Sequence, residues 1–286
     1  WVRKKILDLF PGAQVAIQVI RTSADKDESA SIRAGSTVGV FVREIEEALL
    51  RGEIDAAVHS MKDLPTRIPQ GLRIAAVPER EDALDALVTP DGKSLDSLPH
   101  GALVGTGSLR RQAQLLARRP DLQVKDIRGN IDTRLKKLRA GAYDAVVLAC
   151  AGLKRLGLAD AATQRLSLEE MLPAPGQGAL AVETRIGDPR MNSMAEALNH
   201  WETAVAVAAE RAFLRRMGGG CNVPIAAHAR IRDGSLILDG LVASPDGGKM
   251  VRDAVRAKPD AAEDAAVALA ETILERGGRA VLDELP

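Results

Sequence analysis

A short pattern occurs twice in this chain and restricts its fold more than any other feature. Leu-Leu-Arg-Gly-Glu-Ile-Asp-Ala-Ala-Val, ending at Val58, is matched by Leu-Arg-Ala-Gly-Ala-Tyr-Asp-Ala-Val-Val, ending at Val147, with Asp55 and Asp144 in corresponding places. Each copy closes an amphipathic helix, turns at a glycine and enters a short apolar strand that empties into a polar loop. Helix, glycine, buried strand and loop form one α/β unit, and ligands of such sheets collect at the carboxyl ends of the strands. The repeat predicts two related α/β domains facing one another across a cleft.

The loops that follow carry the chemistry. After the first copy stands His59-Ser60-Met61-Lys62-Asp63-Leu64-Pro65. The second domain holds Gly105-Thr106-Gly107-Ser108-Leu109-Arg110-Arg111 and Arg128-Gly129-Asn130, with Arg134 one turn into the next helix. Between Gly101 and Arg139 there are ten Lys or Arg against three Asp, although the whole chain balances 39 basic with 39 acidic residues. Thr106, Gly107 and Ser108 precede a helical run, where free N–H groups and hydroxyls make an anion seat. Arg110 and Arg111 in a first helical turn oppose the helix dipole unless an anion compensates. Guanidinium forks at two strand-to-helix junctions suit carboxylates or phosphates. A solvated basic helix face is the simpler alternative.

Charge balance and an aromatic content of 2% argue against a nucleic-acid binder, so the arginines are expected to serve a small anion. No apolar run approaches the roughly 18 residues that cross a bilayer. Cys150 and Cys221 form neither a metal spacing nor a disulfide framework, so no metal is expected, and the compartment is expected to be cytoplasmic.

Residues 2–10 read as a helix, 14–21 as a strand, and 38–50 as a helix with Glu44, Glu46 and Glu47 outward and Ile45, Leu49 and Leu50 inward. Residues 54–58 read as a buried strand, and 123–127 as a strand ended by Arg128. Residues 194–217 read as one long helix with Leu198, Trp201, Val205, Ala208 and Leu214 along its apolar side. Hairpin signals at Asp233-Gly234 and Pro245-Asp246-Gly247 divide three strands, covered by a helix over 261–276. Trp1 lies at the edge of a helix, and the chain is expected to lack its natural beginning.

Asp63 follows a lysine at the end of a strand; with cations near it, the carboxylate is expected to stay ionised and to stabilise positive charge. A turn-forming Asp before Pro65 is the alternative. Cys221 follows three glycines, which leave room for a bulky adduct, whereas Cys150 reads as a buried residue within an apolar strand. His59 reads as structural.

These motifs, with Leu172-Pro173-Ala174-Pro175-Gly176-Gln177-Gly178 and Gly219-Gly220-Cys221-Asn222-Val223-Pro224-Ile225, strongly resemble porphobilinogen deaminase, also called hydroxymethylbilane synthase, over essentially the whole chain. The resemblance implies two α/β domains like periplasmic binding proteins, residues 1–78 with 179–196 and residues 84–172. It also implies a small α+β domain, residues 197–286, with a three-stranded antiparallel sheet. It further implies a transferase of tetrapyrrole biosynthesis that serves heme and chlorophyll. Such an enzyme condenses four porphobilinogen molecules on a dipyrromethane cofactor joined by a thioether to Cys221. By the same resemblance Asp63 is catalytic, and Lys62, Ser60, Thr106, Ser108, Arg110 and Arg111 bind the cofactor. Arg128, Arg134, Arg155 and Gln177 bind substrate. A monomer with no membrane or nucleic-acid partner is expected.

Two departures stand out. The family's opening strand, with its Arg, Ser and Gln, is absent, and Val38 stands where a mobile loop usually carries lysine, so Arg33 or Lys26 would substitute. A binding module that captures an anionic metabolite without chemistry is the rival class.

Overall fold

The computed structural model describes residues 1–20, 42–220 and 223–285. The expectations placed on Lys26, Arg33, Val38 and Cys221 lie outside the described residues.

Three sheets organise the chain. The first holds β1 (Ala56–Ser60), β2 (Leu72–Ala76) and β8 (Leu180–Arg185), with β8 in the centre and antiparallel to both neighbours. The second has the order β5-β4-β6-β3-β7, formed by β3 (Asp85–Val88), β4 (Leu103–Gly105), β5 (Gln123–Lys125), β6 (Ala145–Ala149) and β7 (Gln164–Leu166). Strand β4 runs parallel to β5 and β6, whereas β3 runs antiparallel to β6 and β7. The third is the antiparallel sheet of β9 (Ile225–Arg232), β10 (Ser235–Ala243) and β11 (Met250–Ala257). The predicted α/β class, closed by a small α+β unit with three antiparallel strands, is met.

Helix α1 (Val2–Leu9) sets Val2 and Ile6 against Ala75, Ala76 and Val182 of the first sheet. Helix α2 (Arg43–Leu50) buries Ala48 and Leu49, while Leu50, expected inside, is exposed. The carboxylates of Glu44 and Glu46, expected outside, have buried oxygens. The expected strand over 14–21 does not form among the described residues: residues 13–20 have no regular structure, and Val19 is 81% exposed. Alternation alone does not make a strand, because a strand exists only through a partner's ladder.

The repeat survives locally. Helix α2 leads to β1 and helix α4 (Ile131–Arg139) leads to β6, with Asp55 and Asp144 directly ahead of the strands. Asp55 accepts from Arg185 at 3.1 Å, and Asp144 accepts the Leu103 N–H at 2.7 Å. Beyond this the units diverge, since β6 has a parallel neighbour and β1 has none among the described residues. Strand β1 also begins two residues later than expected, and Val58 faces solvent. Cys150 opens helix α5 (Cys150–Arg155) rather than lying within the strand; burial pushes its thiol up to about 11.

The long helix expected over 194–217 is two, α6 (Pro189–Glu196) and α7 (Trp201–Arg216). The break has a cause: Asn199 Oδ1 accepts the Val77 N–H, and the His200 ring accepts the Thr203 N–H as the cap of α7. Of the expected apolar stripe Leu198 is buried and Val205 and Leu214 pack against the core beside the third sheet, whereas Trp201 is 57% exposed. Ala206, Ala209 and Phe213 pack on the third sheet with α8 (Ala262–Ile273), and Glu210 and Arg211 are buried on another side.

Candidate active site

Strand directions decide which residues meet. Because β4, β5 and β6 are parallel, their carboxyl ends lie along one edge of the second sheet; β3 is antiparallel to β6, so its first residue, Asp85, pairs with Ala149 at that same edge. Helix α3 (Leu109–Arg118) starts there, after Thr106, Gly107 and Ser108. A side chain at Gly107 would come within 2.8 Å of the Asp126 carboxylate and 3.5 Å of Ile127 O, so the approach to α3 passes close to the loop that follows β5.

Asp85 is fully buried and binds three of the predicted site residues. It accepts from Arg110 at 2.7 Å, from Arg111 at 3.0 and 2.6 Å, and from Gln177 Nε2 at 2.9 Å. Burial alone would raise the Asp85 pKa, but the charges of Arg110 and Arg111 and their hydrogen bonds outweigh it and hold the carboxyl well below its ordinary value. Two guanidinium cations against one carboxylate leave a net positive charge on the pair. Arg110 and Arg111 also donate to Leu172 O and Val147 O, both at 2.9 Å. The arginines are therefore fixed and buried, not splayed on a solvated face. Arg110 Nε–H and Gln177 Oε1 remain buried with no partner among the described residues.

The first sheet supplies the opposing side. His59 and Ser60 end β1, and residues Met61–Asp63 form a single 3₁₀ turn. Asp63 and Ser60 are exposed, while Lys62 is half-buried. Burial draws the Lys62 ammonium below its usual value; Asp63 and Asp85 oppose that shift, and the charges of Arg111 and Arg110 add to it. Lys62 thus lies within electrostatic reach of the Asp85 cluster across two sheets. Arg134 is drawn down first by burial and then by the charge of Arg111, so it shares the same field.

The remaining predicted residues are placed as follows. Arg134 Nε donates to Gly129 O at 2.8 Å, in a helix capped by Asn130, and Arg128 pairs with Asp126 at 3.1 Å. Arg155 reaches Gly178 O at 2.7 Å. Thr106 is buried rather than outward, and its hydroxyl accepts the Ser108 N–H at 3.2 Å. Strand β5 ends at Lys125, so Arg128 stands in the loop beyond it.

Sequence reading missed Asp85, although an acid at the head of an Ala-Leu-Val strand was a visible signal. It also missed a second buried centre. Glu210 of α7, fully buried, accepts from Arg80 at 2.6 and 3.1 Å, from Gly176 N at 2.6 Å and from Ala229 N at 2.7 Å. One carboxylate thus ties α7 to the 172–178 turn, to β9 and to the segment between β2 and β3. His59, read as structural, has a partner the sequence did not reveal: its Nε2 lies 3.0 Å from Glu183 Oε2 on β8.

His228, 3.7 Å from Glu210, is held down to about 4, first by burial. The unfolded chain would take up this proton near pH 6.5, before the folded one does. Stability is therefore expected to fall as pH drops from about 6.5 to 4, by on the order of 3 kcal/mol from this residue. His228→Gln should flatten that slope, as urea midpoints at neutral and acid pH would show; an unchanged slope would assign it to other groups. Among the described residues no group of His, Cys, Asp and Glu could hold a metal, and no helix is long and apolar enough to cross a membrane.

Residues 1–193 match the family model for the porphobilinogen deaminase dipyrromethane cofactor binding domain, and residues 204–275 match the model for the porphobilinogen deaminase C-terminal domain. The chain is 50% identical over 285 residues to a porphobilinogen deaminase of Syntrophotalea carbinolica, covering 100% of this chain and 90% of that one. It is 47% identical to one of Geobacter sulfurreducens, over 100% of this chain and 89% of that one. Among solved structures, a Salmonella typhimurium periplasmic binding protein of high arginine specificity aligns with 55% of this chain and 70% of its own, at 18% identity and a TM-score of 0.35.

Proposed function

The chain belongs to the porphobilinogen deaminase family, and from that premise we propose which of its residues carry the reaction. The activity is that of a transferase of tetrapyrrole biosynthesis, which deaminates and joins four porphobilinogen molecules head to tail and releases hydroxymethylbilane. Family membership sets aside a module that only captures an anion.

The observation that carries the assignment is the shared field of Lys62, Arg110, Arg111 and Arg134, with the exposed Asp63 next to Lys62. The donor set suits a dipyrromethane, whose rings carry acetate and propionate groups: it has a surplus of cations, and the buried Arg110 Nε–H has no partner among the described residues. When bound, the cofactor supplies the pyrrole carbon from which the product chain grows. Lys62, Ser60, Thr106, Ser108, Arg110 and Arg111 would hold its carboxylates, and Cys221 would carry its thioether. Asp85 orients Arg110 and Arg111 through charge-assisted bonds, so their forks are set before a ligand arrives.

Arg128, Arg134, Arg155 and Gln177 would receive the carboxylates of porphobilinogen and of the lengthening product. Asp63 would face the pyrrole N–H groups. As ammonia leaves the aminomethyl group, positive charge spreads over the pyrrole, and a fixed carboxylate stabilises it more than it stabilises the neutral ring. The proposal includes three domains, residues 1–78 with 179–196, 84–172 and 197–286; one sheet falling in each supports it. It also includes a monomer acting in the cytoplasm without a membrane or nucleic-acid partner, in keeping with a formal net charge of zero.

Intact mass under denaturing conditions tests the attachment. The purified chain should exceed its sequence mass by two deaminated porphobilinogen units, and Cys221→Ser should show no excess. An excess retained in Cys221→Ser would place the linkage on another residue.

A further inference from the structure

The turn that carries Asp63 is held by a helix distant in sequence. On its entry side the Met61 N–H donates to Ala179 O at 3.0 Å, and within it the Leu64 N–H donates to Met61 O at 3.2 Å. On its exit side stands Arg211 of α7, only 7% exposed. Its guanidinium donates to Leu64 O at 3.1 Å and to Pro65 O at 2.7 Å, and lies 3.7 Å from Met61 Sδ. These acceptors bracket Asp63 and none of them is charged. Burial, followed by the neighbouring charge of Arg215, draws Arg211 down to about 10, with Glu183 opposing.

A buried cation satisfied by neutral carbonyls is costly and calls for a reason. Its location supplies one. The residue before it, Glu210, accepts the Gly176 N–H, and Gly176 sits directly beneath the turn: a Cβ there would come within 2.7 Å of Met61 Cγ and 3.1 Å of Lys62 N. Two consecutive residues of α7 therefore support one 3₁₀ turn, Glu210 from below through Gly176 and Arg211 at its exit. The His59–Glu183 pair, at the end of β1, anchors the strand that leads into the turn.

We propose that Arg211 is a positioning residue for the reaction, fixing the Asp63 carboxylate through the Leu64 and Pro65 carbonyls. It touches neither substrate nor cofactor and acts through the backbone of the turn. The proposal rests on the assignment of Asp63 above. A carboxylate that must meet the same developing charge in every cycle loses effect steeply when misplaced, and a shift of about 1 Å can cost on the order of a hundredfold.

A double-mutant cycle on cofactor-loaded enzyme tests this. Arg211→Met is expected to lower kcat about ten- to a hundredfold with KM nearly unchanged. In an Asp63→Asn background the same change should cost less than about twofold. Arg211→Lys, which keeps a donor, should recover part of the rate and serves in the cycle if Arg211→Met does not fold. Hydrogen exchange at the Leu64 amide should accelerate in Arg211→Met. An equal loss in both backgrounds, or unchanged Leu64 exchange, would overturn the positioning role while leaving Asp63 as assigned. Near-normal turnover of Asp63→Asn alone would overturn the assignment of Asp63, and the proposal with it.

Discussion

Asp63→Asn is expected to fold, to keep its covalent cofactor and to lose turnover by about a hundredfold or more. The side chain is exposed at the tip of a short turn, so the change leaves no cavity and no buried group unsatisfied. On the proposed assignment, what it removes is a negative charge held among cations, where porphobilinogen would become positive as ammonia leaves. An amide of the same shape can still accept a hydrogen bond from a pyrrole N–H but cannot offset the full charge. Steady-state rates, together with the intact mass of the variant, separate a loss of chemistry from a loss of cofactor. A rate within a few-fold of the parent would show that the carboxylate only shapes the turn before Pro65.

The largest stability effect is expected at Glu210. Truncation to Ala leaves the largely covered Arg80 guanidinium without its carboxylate and frees the N–H groups of Gly176 and Ala229. Breaking a buried pair by removing one partner costs about 3–5 kcal/mol. The thermal midpoint is expected to fall by on the order of 10 °C. Because the Arg80 penalty arises only while its partner is missing, Arg80→Ala with Glu210→Ala should cost less than the sum of the single changes. By contrast Arg43–Glu47, an exposed i,i+4 pair, should contribute only a few tenths of a kcal/mol. A midpoint within a degree or two of the parent would mean that the desolvation of Glu210 cancels its four hydrogen bonds. Activity should suffer less than in Asp63→Asn, since the carboxylate reaches the turn that carries Asp63 through Gly176.

The local grammar of the chain was legible from residue order alone. Glycine marked the two helix-to-strand turns, Asp233-Gly234 and Pro245-Asp246-Gly247 the two hairpins, and the density of arginine between 101 and 139 the cationic face. These signals are short-range: capping, turn geometry and periodicity act over a few residues and leave their mark there. The motifs shared with porphobilinogen deaminases then identified the family. The site itself was legible as a set of residue types and not as an arrangement.

The tertiary structure decided which charges face one another. Residues 14–20 alternate like a strand yet have no ladder, and the helix expected over 194–217 breaks where Asn199 turns to cap the Val77 N–H. Arg110 and Arg111 read as first-turn guanidinium forks awaiting an anionic ligand, but the antiparallel entry of β3 sets Asp85 between them and buries all three. Glu210 and Arg211 are inside because α7 is covered on more than one side, and partners more than a hundred positions away, Arg80 for Glu210 and Leu64 and Pro65 for Arg211, complete their hydrogen bonds. A polar residue is stable in the interior only with partners that complete its hydrogen bonds, and those partners are chosen by sheet order and helix packing. Local sequence set the elements and the chemical kind of the site, while the long-range pairing of β3 with β6 and of α7 with the Met61–Asp63 turn set its geometry, because burial and charge pairing depend on the whole fold.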